Sequence, residues 1–205
     1  HRTLVLADAD LTDLRWSSGA LWHVGATGAG FQVGGSGMPA IWQVPDGEVM
    51  DDHAIVDGRG WFGHPGGLHL MWSAHPDEGA LRVAEEAVHA LHVAGDEALV
   101  VEGNLSGLFL ARYQANDTSM DAERSVRYPL DVDAPEPLLS LELESEDNGS
   151  LLVHMEGLFG RTAHRIVFDE SGVSSWPVEG VLPPAAEGPA DLAAAQGPGC
   201  DGLTG

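Results

Sequence analysis

The sequence predicts an all-β domain assembled from several small antiparallel sheets. Period-two apolar alternation runs through most of the 205 residues, short turns recur, and three stretches can be laid over one another. These stretches are "LTDLRWSSGALWHVGATGAGFQV" from Leu11, "VHALHVAGDEALVVEGNLSGLFLARY" from Val88 and "LLSLELESEDNGSLLVHMEGLFGRTAHRIVF" from Leu138. Each reads as strand, tight turn, strand, turn, strand. Ser18-Gly19, Gly95-Asp96 and Asn148-Gly149 supply the positive-φ positions that tight hairpins require. A poorer copy, "HAIVDGRGWFGHPGGLHLMWSAH", starts at His53.

Small sheets repeated about every 40 to 50 residues are the signature of propeller blades. On these segments the chain resembles the secreted β-propeller repeat proteins, in which a strand like "VHALHVAGDEALVVEG" opens each blade. The resemblance implies a propeller-like ring of three to four sheets over residues 1–176. It implies also that "RTLVLADA", Arg2 to Ala9, pairs into the last blade as a latch; without closure the sheet edges stay open to another chain. A β-sandwich uses the same alternation and remains the rival architecture. Residues 77–94 carry helix signals as well, with acids at the front, alanines within and Gly95 beyond. The hairpin "ALHVAGDEALVV" and the neighbouring copies favour strands there.

Residues 177–205 differ in kind, being rich in Pro, Ala and Gly, with one short helix expected from Pro189 to Gln196. Such a tail is expected to dock on its own domain or on a neighbouring subunit. Cys200, the sole cysteine, lies in it, so no internal disulfide forms.

Charge narrows the partners. Asp and Glu number 32 against 9 basic residues, all of them arginine, for a formal net charge of −23. This surface repels nucleic-acid phosphates and anionic membranes, so neither is an expected partner, whereas divalent cations and basic proteins are compatible with it. No apolar run reaches the ~18 residues that a membrane-spanning helix needs. All three asparagines, Asn104, Asn116 and Asn148, sit in Asn-x-Ser/Thr frames, which points to N-glycosylation and an extracellular, cell-surface or periplasmic location. Each also suits an ordinary turn.

Several motifs suggest chemistry. "HVGATGAGFQVGG" resembles the Gly-Ala-Thr-Gly turn of short-chain reductases, whose glycines precede a helix that holds a pyrophosphate. Here Phe31-Gln32-Val33 alternates like a strand and Gly34, Gly35, Gly37 and Pro39 follow, so Gly28 and Gly30 are read as turn residues and no cofactor is expected. Among ten histidines, His53, His64, His69 and His75 lie in loop-like sequence and can converge. His89 and His92, three apart on a strand, point to opposite faces and cannot share a metal. Of the acidic clusters, the Asp8, Asp10 and Asp13 loop is the candidate calcium site, although it lacks the EF-hand spacing. Glu142 and Glu144 alternate with Leu141 and Leu143 and read as a solvated strand face. "GGSGM" has the wrong surroundings for a nucleophile elbow, and no catalytic residue emerges. The six tryptophans are expected in packing between sheets, with one or two free to anchor a partner.

The expected function is therefore a non-enzymatic exported structural or protein-binding subunit, meeting a protein partner or copies of itself, in part through residues 177–205. A metal-dependent hydrolase on a propeller scaffold and a carbohydrate- or calcium-binding module are the alternatives.

Overall fold

The computed structural model describes residues 11–34, 39–104, 107–130, 138–146, 150–158, 160–169 and 172–178. Sixteen strands form four antiparallel sheets of four, each made of strands consecutive in the chain. The first holds β1 (Leu11–Ser17), β2 (Ala20–Gly25), β3 (Gly28–Val33) and β4 (Ala40–Gln43). The second holds β5 (Asp52–Val56), β6 (Arg59–His64), β7 (Gly67–Trp72) and β8 (Leu81–Ala84). β9 (Ala87–Ala94), β10 (Glu97–Asn104), β11 (Gly107–Ala115) and β12 (Ala122–Pro129) make the third. β13 (Leu138–Ser145), β14 (Leu151–Gly157), β15 (Gly160–Asp169) and β16 (Gly172–Pro177) complete the fourth. The molecule is a propeller-like array of four sheets, and the starts read from the sequence at residues 11, 53, 88 and 138 fall within one residue of the observed ones. The weak copy at His53 is a full sheet, and residues 77–94 are strands β8 and β9, not a helix.

Local turn chemistry accounts for the hairpins. Ser18 and Gly19 have φ of 45° and 77°, and Asp57 and Gly58 have 49° and 78°, so both pairs supply the double positive-φ turn whose twist matches the strands it joins. Gly28 and Gly30 correct the sequence reading, because they lie inside β3 and not in the turn, which is Ala26-Thr27. Their role is close approach. A Cβ on Gly28 would sit 2.5 Å from the Trp42 carbonyl oxygen, and one on Gly30 would meet the His23 ring and the Ala40 carbonyl oxygen.

Pleating sends alternate residues to opposite faces, and each apolar face meets the next sheet. Trp22, Val24, Ala29 and Phe31 of the first sheet pack on Ile55, Phe62 and Met71 of the second. Trp61, Leu68 and Leu70 face Val88, Ala98, Val100 and Tyr113 of the third. Ala90, Val101 and Leu110 face Leu141, Val153, Met155 and Ile166 of the fourth. Three buried clusters thus join successive sheets, and among the described residues none joins the fourth to the first. The proposed latch at Arg2 to Ala9 and the tail from residue 179 lie outside the described residues.

Polar ties reinforce the junctions. Asp52, at the start of β5, accepts the Leu91 backbone N–H at 2.9 Å and its neighbour His53 N–H at 2.7 Å, which fixes β5 against β9. At the other end, Arg59 is ion-paired to Asp96, donates to the Asn116 carbonyl at 2.9 Å, and lies 4.4 Å over the Trp72 ring.

Candidate functional site

Three polar or exposed arrangements stand out from the apolar interior. The first gathers acids and imidazoles where the chain passes from β4 to β5. The connector is held in place by Val44 N–H on the Thr27 carbonyl, Met50 N–H on the Ala26 carbonyl and Asp51 N–H on the Gly63 carbonyl. This sets the Glu48 carboxylate 2.8 Å from Nδ1 of His64, whose Nε2 lies 3.0 Å from Nδ1 of His69. The Gly66 backbone N–H also donates to His64 Nδ1, at 3.1 Å, so this nitrogen is shared between the carboxylate and the β6–β7 turn. Trp42 covers the pair, its ring 4.8 Å from that of His69. Burial pushes His69 down to about 4, with His64 and the Arg82 guanidinium adding to the effect. Burial also raises the carboxyls of Asp51 and Asp52, and in Asp51 the nearby His89 and His64 oppose the rise.

This chain of one carboxylate and two imidazoles has the connectivity of a proton relay, yet both rings are buried beneath Trp42. Its geometry suits a brace for the β6–β7 turn, where Arg82 also donates to the Gly66 carbonyl at 2.5 Å. Of the four histidines expected to converge, only His64 and His69 meet. His53 approaches Asp13 at 3.5 Å, and His75 pairs with Glu78 at 2.8 Å beside Trp72. Among the described residues no three His, Cys, Asp or Glu side chains are placed to hold a metal. Asp8 and Asp10 lie outside the described residues, and Asp13 is engaged by Arg15 Nε at 2.8 Å.

The second arrangement escaped the sequence reading. Glu102 shares the strand face of Ala98 and Val100 and therefore enters the junction of the second and third sheets, with 0% exposure. Its Oε2 accepts the Tyr113 hydroxyl at 2.6 Å, while Oε1 meets Arg124 at 3.1 Å and Arg127 at 2.9 Å. Glu86 lies 3.8 and 3.4 Å from the same two arginines, and Arg127 stacks 3.9 Å over Phe109. A cleft of about 480 Å³ opens beside this network, lined by Val83, Ala84, Glu85, Glu86, Tyr113 and Arg124. Glu86 and Glu102 neutralise the two arginines, and Glu85 leaves the lining with one further negative charge. Tyr113→Phe is expected to cost about 1 kcal/mol, the net worth of one hydrogen bond, in chemical denaturation. The only signal for Glu102 was its position two residues beyond Val100 on a strand with both faces buried.

The third arrangement is the outward face of the first sheet, where exposed apolar side chains flank a buried His23. Register places Leu14, His23, Gly30 and Ile41 in one row across β1 to β4, with Trp16, Leu21 and Gln32 in the next. These rows are on the side away from the second sheet, because the alternate rows contain Trp22, Val24, Phe31 and Trp42. Leu14 is 54% exposed, and Trp16 and Ile41 are each 63% exposed. His23, which lies over Gly30 in this face, is lowered from its ordinary value by burial. The far end of the array is different. The outward rows of the fourth sheet hold Glu142, Glu144, Glu156, Arg161 and Arg165, with Trp176 at the edge.

Of the glycosylation candidates, Asn116 is exposed, and its side-chain oxygen accepts the Thr118 N–H at 2.9 Å and the Thr118 hydroxyl at 3.0 Å. Asn104 ends β10 with its side chain outside the description, and Asn148 lies outside the described residues.

No family model matches the chain, and no curated protein matches it in sequence. Solved structures do match in fold. A chain in the S. cerevisiae structure of Dbp5 L327V bound to Nup159, Gle1 H337R, IP6 and ADP is similar at 8% identity and a TM-score of 0.61, over 82% of this chain and 47% of that one. The present chain thus spans about half the length of that match. The computationally designed Ika4 protein is similar at 12% identity and a TM-score of 0.50, over 86% of this chain and 96% of the design. Kluyveromyces lactis Hsv2 with complete loop 6CD is matched at 8% identity and a TM-score of 0.47, over 81% of this chain and 60% of that one. At such identities the likeness is one of fold.

Proposed function

We propose that the chain is a non-catalytic assembly subunit of an exported protein system, an arc of four sheets that binds protein through the open face of its first sheet. The observation that supports this reading is the exposure of Leu14, Trp16 and Ile41 on the outward face of a sheet whose other face packs on the second sheet. Clustered exposed apolar side chains mark contact surfaces, and tryptophan, here Trp16 on the edge strand β1, is a residue type that often anchors them. The buried histidine pair and the self-neutralised Glu102 network favour a scaffold over a hydrolase, because neither presents a reactive atom to a substrate.

Footprinting by a photoactivated carbene tests the reading. Labelling of the Leu14, Trp16 and Ile41 face is expected to fall several-fold between dilute protein and protein in its assembled state, while labelling of Trp176 holds steady. Equal labelling of the first-sheet face in both states would remove the basis for an assembly role. Export carries its own expectation: produced through a eukaryotic secretory pathway, the protein gains the mass of one glycan at Asn116, and Asn116→Gln loses it. An intact mass equal to that of the bare polypeptide would argue against N-glycosylation there.

A further inference from the structure

We infer that the partner of the first-sheet face is the same face of a second copy, packed about a two-fold axis. The inference rests on the proposed assembly role and supplies its partner. Three features of the molecule select this occupant.

Chemistry comes first. The rows Leu14–His23–Gly30–Ile41 and Trp16–Leu21–Gln32 contain no carboxylate and no arginine, in a chain of net charge −23. Two such rows can meet without burying an unpaired charge. A head-to-tail ring needs the opposite pairing, with this face against the outward face of the fourth sheet. That would bury the Arg161–Glu156, Arg165–Glu146 and His154–Glu144 pairs, which lie on that face, against an apolar surface that gives no polar contact to offset their desolvation. The two ends of the arc are therefore mismatched with each other, while the first face matches itself. Self-matching is the condition for an isologous dimer.

Size is the second feature. Four strands about 4.8 Å apart and about six residues long, at about 3.3 Å each, present a face of about 400 Å². Two copies together remove about 800 Å² of flat surface, to which the relief of Trp16, Leu14 and Ile41 adds. Without that relief the area stays below the about 1,000 Å² of a standard specific interface, so the pairing is a small and weak one. Shape is the third. The sheet is flat enough at Gly30 for His23 to lie down in its own row, which leaves Leu14 and Ile41 as ridges on either side and Trp16 beyond. A two-fold operation sets the ridges of one copy into the trough of the other.

The test is light-scattering mass of the full chain over a concentration series, with three variants whose circular dichroism and melting are checked against wild type. Wild type is expected at twice 21.5 kDa, and the dimer is expected to tighten as salt screens the net negative charge. Trp16→Glu and, independently, Ile41→Glu are each expected to yield folded monomers with dissociation constants raised at least 100-fold. Trp176→Glu, on the outward row of the fourth sheet, is expected to remain dimeric. A wild-type monomer at all concentrations would overturn the two-fold pairing, although protection of the same face by another protein would keep the assembly role alive. Loss of the dimer in both Trp16→Glu and Trp176→Glu would overturn it in favour of the head-to-tail ring.

Discussion

Replacing Glu102 with alanine is expected to lower the stability of the fold by about 3 kcal/mol, seen as a shifted urea midpoint with an unchanged slope. The carboxylate is fully buried and holds three partners at once, the Tyr113 hydroxyl and the guanidinium groups of Arg124 and Arg127. Its removal leaves two cations and a hydroxyl around an apolar gap between the second and third sheets. The arginines are partly solvated and Glu86 still approaches both, which places the cost at the lower end of the range for breaking a buried pair. Glu102→Gln keeps the shape and loses the charge, so a smaller loss of about 1 to 2 kcal/mol is expected. In a double-mutant cycle, Arg127→Ala is expected to cost much less in the Glu102→Ala background than in wild type. Additive costs would show that the three groups do not act together.

Acidification from pH 7 to pH 4 is expected to remove about 3 kcal/mol through His69. Burial holds this ring down to about 4, whereas in the unfolded chain it titrates near 6.5. Between those values the unfolded state binds the extra proton, so stability falls as pH drops through the window and levels off below it. His23, lowered by burial, acts in the same direction. Glu146, held below its ordinary value by the Arg165 fork, adds to the loss at the acid end. Asp51 and Asp52 act in the opposite sense: burial raises them, so the folded state takes up their protons before the unfolded chain does and regains some stability as pH falls through their raised values. His69→Gln is expected to flatten the slope between pH 6.5 and 4 in thermal melts. An unchanged slope would show that another group governs it.

The starts of the four sheets were legible because they rest on local rules, while their number was legible only as three to four. Alternation marked the faces, and Ser18-Gly19 and Gly95-Asp96 marked the reversals. Gly28 and Gly30 were misplaced into a turn because glycine signals both reversal and close approach. Only the neighbours, Trp42 and the His23 ring, decide between the two. The histidine grouping was half legible: sequence nearness suggested convergence, but β6 and β7 pair His64 and His69 alone, and His75 falls beyond the end of β7. Glu102 was illegible for a different reason. A glutamate on a strand reads as solvated unless both flanking sheets are known, and its partners Arg124 and Arg127 lie more than twenty residues away. The outward face of the first sheet was equally hidden, because Leu14 and Trp16 look like core residues until the register shows which side of the sheet they occupy.

Because, among the described residues, every sheet is built from consecutive strands and touches only its sequence neighbours through the buried clusters, these residues come close to a one-dimensional stack. Cooperativity in such a stack is weakest at its ends. Amide exchange should follow that gradient, fastest in the terminal sheets and slowest in β6, β7, β10 and β11. Whatever caps the first sheet then does more than recruit a neighbour: it sets how far inward fraying can travel.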